Sequence, residues 1–285
     1  MIFDTVLSAT TLALFGIILG AIIGSFLNVV IIRLPLILRA EWTHEAKLFL
    51  GITYDDKQPL SLSKPRSHCT DCKQPLKVVH NIPLLSYCFL RGKCSHCGQS
   101  VSIQYPIIEL LSAFITAYLL TVHGLTEKTL FSLVFSYCLI VLAVIDFREK
   151  ILPDQITLPL LWIGLIASLF GYWAGPTQAI TGALLGYLSL WSVMILFKWV
   201  TGKEGMGYGD FKLNAAIGAW FGWQMVPSVI LISSFLGAVI GLFAIAFCGH
   251  DRRRPFAFGP FLCIAGWVVM EWNDSLIYLF SYLSI

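Results

Sequence analysis

Long apolar runs constrain this sequence more than any other feature. An α-helix needs about 17–25 apolar residues to cross the hydrocarbon core of a bilayer. Only 12% of the 285 residues are charged, whereas soluble domains carry about 25%. The sequence therefore predicts an all-α polytopic membrane protein with about eight transmembrane helices. Their approximate positions are 10–32, 106–123, 129–146, 155–173, 179–197, 213–225, 228–248 and 257–283.

The basic residues predict the orientation of these helices. Segment 33–105 and the turns 146–154, 198–212 and 251–256 together hold 18 of the 19 Lys and Arg residues. Because short cytoplasmic loops retain Lys and Arg, these segments are expected on the cytoplasmic side, with both termini on the opposite side. The charges are dispersed among several loops and do not form one basic surface, which argues against a nucleic-acid partner.

One polar segment, residues 35–105, interrupts the membrane pattern and predicts a small cytoplasmic domain. It contains two C-x-x-C motifs, Cys69 with Cys72 and Cys94 with Cys97, separated by 21 residues. Each motif can present two sulfurs to one tetrahedral ion, so the spacing favours a structural four-thiolate Zn²⁺ site. Redox pairs and free thiols are the alternatives, and a reducing cytoplasm argues against structural disulfides.

Two aspartates lie at the predicted cytoplasmic ends of apolar runs. Asp146 ends the third run, and Asp210 follows Gly207-Tyr208-Gly209 at the start of the sixth. The predicted topology brings both carboxylates to the same side and depth. Two such carboxylates can share a proton, activate a water and protonate a departing amine. The glycines would let an extended peptide approach closely. Alternatively, each aspartate only ends a helix and faces water.

Other polar residues point less clearly to chemistry. Asp154 follows Pro153 where a helix should begin, which predicts a helix N-cap. The sequence has neither a G-x-S-x-G nor an H-E-x-x-H motif, so serine and metallopeptidase mechanisms lack their usual residues.

These motifs resemble those of the type IV prepilin leader peptidase/N-methyltransferase family, which are membrane aspartic proteases with a G-x-G-D motif. The resemblance implies that Asp146 and Asp210 are the catalytic pair. The matching stretches are GSFLNVVIIRLP (24–35), the C-x-x-C pairs around NIPLLSY (81–87), YPIIELLSA (105–113), IDFREKILPD (145–154), GYGD (207–210) and FGPFL (258–262).

The family resemblance also implies a substrate, a location and a second reaction. Its members cut the short basic leader of type IV prepilins and type II secretion pseudopilins after a glycine, at the cytoplasmic face of the bacterial inner membrane. They then methylate the new N-terminal residue, usually Phe, with S-adenosylmethionine. The implied partners are these substrates and membrane lipid.

By resemblance, methyl transfer belongs to the polar segment and its flanking helices. Glu109 is the best single candidate for the cofactor site, although an acid near a helix start can also simply stabilise the helix dipole. Gly24, Ser25 and Asn28 form either a cofactor-lining face or a small-residue helix contact. The predicted domains are a first transmembrane helix (1–34), a zinc-binding, methyltransferase-associated domain (35–105) and a peptidase domain (106–285).

Three other functions are compatible with parts of the sequence. A peptidase without methyltransferase activity would use the two aspartates alone. A proton-coupled transporter would need ionisable residues at mid-span depth and on both sides of the bilayer. A zinc domain that only docks a partner would leave the pair of carboxylates unexplained.

Overall fold

The computed structural model of the chain describes residues 8–52, 61–69, 71–76, 79, 82–203, 205–247 and 257–283. Within them the secondary structure is helical apart from two isolated β-bridges, which confirms the predicted all-α class. The helices are α1 (Ala9–Phe49), α2 (Leu85–Phe89), α3 (Gln104–His123), α4 (Glu127–Glu149), α5 (Asp154–Leu169), α6 (Pro176–Thr201), α7 (Tyr208–Phe221), α8 (Val226–Phe247) and α9 (Gly259–Leu283).

Five of the described helical segments are long and apolar enough to cross a membrane. They are α1, α3, α4, α6 and the segment Trp223–Ala244, which contains most of α8. Helices α5 and α7 are shorter, with 16 and 14 residues, and α9 has 25 residues with non-helical backbone angles at Trp272. The prediction of a polytopic membrane protein is confirmed, whereas eight spans remain a prediction.

Helix α1 is much longer than the predicted first span. Its 41 residues extend about 60 Å, roughly twice the thickness of the hydrocarbon core. The helix contains Pro35 and passes without a break through the domain boundary that the sequence predicted at residues 34 and 35. Part of α1 must therefore project beyond the apolar layer and belong to the polar segment.

The chain divides into two compact units, Met1–Leu133 and Val134–Ile285. In the first unit, α1 packs closely on α3 through glycines spaced by four residues. A Cβ atom on Gly16 would lie 2.6 Å from Ala117 Cα, and one on Gly20 would lie 2.5 Å from the Ser112 carbonyl oxygen. Larger side chains would force the helices apart, so these glycines set the distance between α1 and α3.

Arg33 ties the polar segment to α1. Its guanidinium donates hydrogen bonds to the carbonyl oxygens of Ser61 and Leu62, at 3.1 and 3.0 Å, and of Pro65, at 2.6 Å. A planar guanidinium suits this task because it offers several donors in a fixed geometry. The segment that leads into the first C-x-x-C motif is thereby attached to the first helix.

Helix α7 is the centre of the second unit, and most of its residues are buried. Close contacts hold it on two sides. A Cβ atom on Gly218 would clash with the backbone of Gly182 in α6. Towards α5, the Trp220 indole donates a 2.8 Å hydrogen bond to the Leu160 carbonyl oxygen. The small residues of α7 thus permit tight packing, which the sequence showed only as a short, Gly- and Ala-rich run.

An aromatic cluster fixes the alignment of α4 with α7. The Phe135 ring of α4 lies 4.7 Å from the Trp220 ring and 5.2 Å from the Phe221 ring, centroid to centroid. Asp146 lies about 16 Å along α4 from Phe135, and Asp210 lies about 15 Å along α7 from Trp220. Because the two distances match, antiparallel helices joined at these aromatic rings bring the two aspartates to the same level.

Candidate active site and metal centre

Asp146 lies in the last turn of α4 and is only 6% exposed. Its Oδ2 atom accepts a 3.0 Å hydrogen bond from the backbone N–H of Gly259, the first residue of α9. A Cβ atom at position 259 would lie 2.7 Å from that same oxygen. Only glycine lets the backbone of α9 approach the carboxylate this closely.

Asp210 lies in the first turn of α7, which begins after Gly207, and is 8% exposed. Leu152 lies against both Gly209, which precedes Asp210, and Gly259, whose N–H binds Asp146, so the two aspartates lie in one neighbourhood. The structure therefore brings together the two aspartates that the sequence paired across 64 positions.

Leu152 packs against two glycines beside this pair. A Cβ atom on Gly209 would lie 2.8 Å from Leu152 Cβ, and one on Gly259 would lie 3.2 Å from Leu152 Cδ2. The sequence suggested that the glycines before Asp210 leave room for a substrate peptide. In the structure Gly209 makes room for a leucine of the same chain, and Gly207 lies beside the Asp210 carboxylate, so access for a peptide stays a prediction.

The structure corrects the prediction that Asp154 is the N-cap of a helix. Its side chain does not cap α5, because the N-cap position is taken by Pro153 and Asp154 is the first helical residue. Its carboxylate instead binds the Lys212 ammonium through both oxygens, at 2.7 and 2.8 Å. Lys212 lies two residues after Asp210, so this partly exposed ion pair links the first turns of α5 and α7.

The four predicted zinc ligands form one cluster in the first unit. The sulfurs of Cys69, Cys72, Cys94 and Cys97 all lie within 4.8 Å of one another, and Cys69 and Cys97 are 3.8 Å apart. Tetrahedral zinc with Zn–S bonds of about 2.3 Å requires sulfurs about 3.8 Å apart. All four are free thiols in the structure, an arrangement compatible with a four-thiolate metal site.

The two C-x-x-C turns have the same backbone design. In each, the N–H of the first cysteine donates to a glutamine carbonyl five residues later, at 3.0 Å from Cys69 and 2.8 Å from Cys94. Lys73 and Gly98 occupy equivalent positions, with φ values of 58° and 73°. The His96 N–H donates a 3.5 Å hydrogen bond to the Cys94 sulfur, and a backbone donor of this kind favours the thiolate that binds metal.

Glu109 is buried in α3, and its Oε2 atom accepts a 2.8 Å hydrogen bond from the Leu84 N–H. Ser25 of α1 lies near the same carboxylate. Leu84 has φ +61° and ψ −50°, the strained geometry of a γ-turn, which is closed by a 2.6 Å hydrogen bond from the Leu85 N–H to the Pro83 carbonyl oxygen. The carboxylate therefore holds the chain just before α2 in an unfavourable backbone conformation.

Asn28 connects α1 to the start of α3 and is 1% exposed. Its Nδ2 donates to the carbonyl oxygens of Gly24 and Tyr105, at 3.2 and 3.1 Å, and its Oδ1 accepts from Gln104 at 3.4 Å. A Cβ atom on Gly24 would clash with Ser112 and the Glu109 backbone. The structure thus gathers all four predicted cofactor-site residues, and the small-residue contact proposed for Gly24 is present.

Some contacts of these sites were not visible in the sequence. Gly259, Leu84 and Lys212 join elements far apart in the chain, and their partners could not be deduced from spacing. A usable signal exists only for Gly259, since Gly followed by Pro after a basic turn is typical of a helix start. For the other two, nothing in the residue types distinguishes them from surface residues.

The fold and these sites define a polytopic α-helical membrane protein with two buried, neighbouring carboxylates and a separate four-cysteine cluster. Two family models match it. The Bacterial Peptidase A24 N-terminal domain matches residues 18–123, and the Type IV leader peptidase family matches residues 133–242.

Curated relatives with the name prepilin leader peptidase/N-methyltransferase match most of the chain. The Pseudomonas putida protein is 44% identical over 91% of this chain and 90% of its own length. The Aeromonas hydrophila protein is 46% identical over 89% of this chain and 88% of its own length. The Pseudomonas aeruginosa protein is 45% identical over 91% of this chain and 90% of its own length. No solved structure matches the chain. The chain belongs to the type IV leader peptidase family, which confirms the resemblance seen in its motifs.

Proposed function

We propose that this protein cleaves the leader peptide of prepilins and pseudopilins and then N-methylates the new N-terminal residue. The meeting of Asp146 with Asp210 carries the peptidase half of this proposal, since both are buried and the glycines beside them pack on the same Leu152 side chain. The names of the relatives and the match along about nine-tenths of the chain support both halves.

In the proposed cleavage step the two aspartates have different tasks. Asp146 accepts the Gly259 N–H, and a hydrogen bond to the charged form favours a carboxylate. It takes a proton from the attacking water as the oxygen adds to the scissile carbonyl carbon. Asp210 holds the shared proton and passes it to the leaving amine when the C–N bond breaks. A water and two carboxylates suffice for this hydrolysis.

The proposed location is the bacterial inner membrane, with eight spans and the aspartates at the cytoplasmic face. Three basic residues near the pair support this orientation. Arg148 and Lys150 follow Asp146, and Lys212 follows Asp210. Because short cytoplasmic loops retain positive charge, this end of α4 and α7 belongs on the cytoplasmic side. A transporter would instead need carboxylates distributed through the depth of the bilayer.

For methyl transfer we assign S-adenosylmethionine to the cluster of Glu109, Gly24, Ser25 and Asn28. The cofactor supplies an electrophilic methyl group. Glu109 can accept the proton that the N-terminal ammonium must lose before its nitrogen attacks. Its hydrogen bond from the Leu84 N–H occupies Oε2 and leaves acceptor capacity on the other oxygen.

Two reactions in one chain can be tested in one assay. The intact protein, reconstituted in lipid vesicles, is incubated with a prepilin and S-adenosylmethionine labelled in its methyl group. We expect a shortened product that carries the label at its new N-terminus. A shortened product without the label would mean that the protein is a peptidase without methyltransferase activity. Absence of cleavage would contradict the proposal.

Replacing Gly259 by Ala is expected to reduce cleavage about 100-fold while the protein still folds. The new Cβ atom would lie 2.7 Å from Asp146 Oδ2 and displace that carboxylate. A misplacement of about 1 Å at a reacting group can cost about 100-fold in rate. The measurement is the rate of prepilin cleavage in detergent or vesicles, with methylation of a mature peptide as a test of intact folding.

Gly241 provides the matched control for this substitution. It lies in α8, and a Cβ atom added there would meet no heavy atom within 4 Å, so Gly241→Ala should cleave at the normal rate. Equal activity of Gly259→Ala and Gly241→Ala would show that the contact between α9 and Asp146 has no part in cleavage.

We propose that the four-cysteine cluster holds one structural zinc ion per chain. Metal analysis of protein purified under reducing conditions without chelator should find one zinc, and Cys94→Ser should lose it. Loss of the ion should expose the polar segment to proteolysis and leave the transmembrane helices inserted, because so short a segment depends on the metal for its fold.

Cys88→Ser is the control for the zinc prediction. Cys88 is exposed and lies outside the four-sulfur cluster, although it is only six residues from Cys94. This variant should retain its zinc. Metal-free wild-type protein, or a disulfide within either C-x-x-C motif in cells, would favour the redox interpretation.

A further inference from the structure

The short helix α2 exposes an apolar patch made of Ile82, Leu85 and Phe89. The side chains are 41%, 56% and 84% exposed, and no residue of α2 is buried. Leu85 and Phe89 are one helical turn apart, so both project from the same face. An apolar surface of this kind on a polar segment normally contacts a partner or a membrane.

The depth of α2 follows from its attachment to α3. The Leu84 N–H, immediately before α2, is bonded to Glu109 Oε2 at 2.8 Å. Helix α3 has 20 residues and is about 30 Å long, which matches the thickness of the hydrocarbon core. Glu109 lies about 7 Å inside the start of this helix. The hydrogen bond therefore holds the start of α2 at the boundary between headgroups and acyl chains.

The charges around the patch complement an anionic surface. Arg91 and Lys93 lie two and four residues after Phe89, and both are exposed. Basic residues outnumber acidic ones throughout residues 61–103, where Asp71 is the single acid. The cytoplasmic leaflet has a negative surface potential that attracts such segments.

We propose that the α2 patch docks on anionic lipid of the cytoplasmic leaflet. Leu85 and Phe89 enter the boundary between headgroups and acyl chains, and Arg91 and Lys93 bind lipid phosphates. The inference rests on the orientation given under the proposed function. A polar domain anchored in this way would keep Leu84 within hydrogen-bonding distance of the Glu109 carboxylate on α3.

Two protein occupants fit the patch less well than lipid does. The leader that the family resemblance implies for the substrate is basic, so Arg91 and Lys93 would repel it. A second copy of this chain would bring the same positive charges against each other. Anionic lipid satisfies both the apolar side chains and the charges at the depth that the Leu84 bond imposes.

Photocross-linking can identify the occupant directly. Benzoylphenylalanine is placed at position 89 of the full-length protein, which is reconstituted in phosphatidylcholine vesicles with or without phosphatidylglycerol. Mass spectrometry after irradiation should find a lipid adduct, with phosphatidylglycerol preferred. The control position is 99, which is exposed on the second C-x-x-C turn; the probe there should give little lipid adduct.

The charge contribution has its own variants. Arg91→Gln and Lys93→Gln should each lower the phosphatidylglycerol adduct about fivefold, since one basic residue near an anionic surface is worth about 1 kcal/mol. Zinc content of each variant shows whether the polar segment is still folded. The same variants in pure phosphatidylcholine should not differ from the parent protein.

Several results would overturn the proposal. Adducts at position 89 with a second copy or with added prepilin in place of lipid would assign the patch to that protein. Equal lipid adducts at positions 89 and 99 would show that α2 has no special contact with the bilayer. Cross-linking measures lipid contact without requiring catalysis, so it can also be carried out on the inactive Asp210→Asn variant. A negative cross-linking result is therefore distinguishable from a failure of the proposed catalysis.

Discussion

Asp146→Asn and Asp210→Asn are each expected to abolish prepilin cleavage, with a loss of at least about 100-fold. An amide can neither hold the shared proton nor remove one from water, and general acid–base catalysis typically contributes about 10²–10⁴-fold. The asparagine at 146 can still accept the Gly259 N–H through its amide oxygen, so the local structure should persist. The measurement is single-turnover cleavage of a prepilin by purified, reconstituted protein.

Asp154→Asn is the matched control, because it makes the same chemical change nearby. It weakens only the ion pair with Lys212, in which both side chains are partly exposed. Such pairs contribute about 0–1 kcal/mol, so cleavage should remain substantial. Near-normal cleavage by either Asp146→Asn or Asp210→Asn would refute the two-aspartate mechanism. Severe loss in Asp154→Asn as well would mean that the link between α5 and α7 is part of the site.

Glu109→Gln is expected to lose methyl transfer by about 100-fold and to keep cleavage. Glutamine has the same shape, and its amide oxygen can still accept the Leu84 N–H, so the backbone before α2 should stay in place. What the substitution removes is the ability to take a proton from the substrate ammonium. Cleavage of a prepilin and methylation of a supplied mature peptide are measured separately.

The outcome distinguishes a chemical role of Glu109 from a structural one. If the carboxylate only holds Leu84, then Glu109→Gln should methylate normally and Glu109→Ala should not. Glu41→Gln, on the exposed surface of α1, controls for the loss of a negative charge and should leave both reactions intact. Loss of cleavage together with methylation in folded, zinc-containing Glu109→Gln protein would indicate one shared site.

The parts of this fold that the sequence predicted depend on local pattern. Apolar runs predicted the helices, and the C-x-x-C spacing predicted which four sulfurs meet, because short turns determine where those cysteines point. The pairing of Asp146 with Asp210 followed from topology, since helices that cross the same layer bring their ends to common levels. The structure adds that Phe135 and Trp220 set this level from the other end of the two helices.

Predictions failed where a distant residue decides the outcome. Asp154 has the sequence position of a helix cap, but its carboxylate accepts two hydrogen bonds from Lys212 and none from the start of α5. The first span was predicted at 10–32, yet α1 continues through Pro35 to Phe49. The packing of Leu152 on Gly209 was also not predicted, because these two residues are far apart in the chain. None of these long-range partners leaves a periodic signal in the sequence.

The four-sulfur cluster has a consequence beyond the segment that it binds. It joins the two C-x-x-C turns and thereby closes a loop of 21 residues that contains α2 and Leu84. An open chain of that length loses conformational entropy when its ends are brought together, and a bound metal fixes those ends. On the proposed assignments, zinc would lower the entropic cost of presenting Leu84 to Glu109. Scarcity of the metal would then weaken methyl transfer, although the ion takes no part in the reaction.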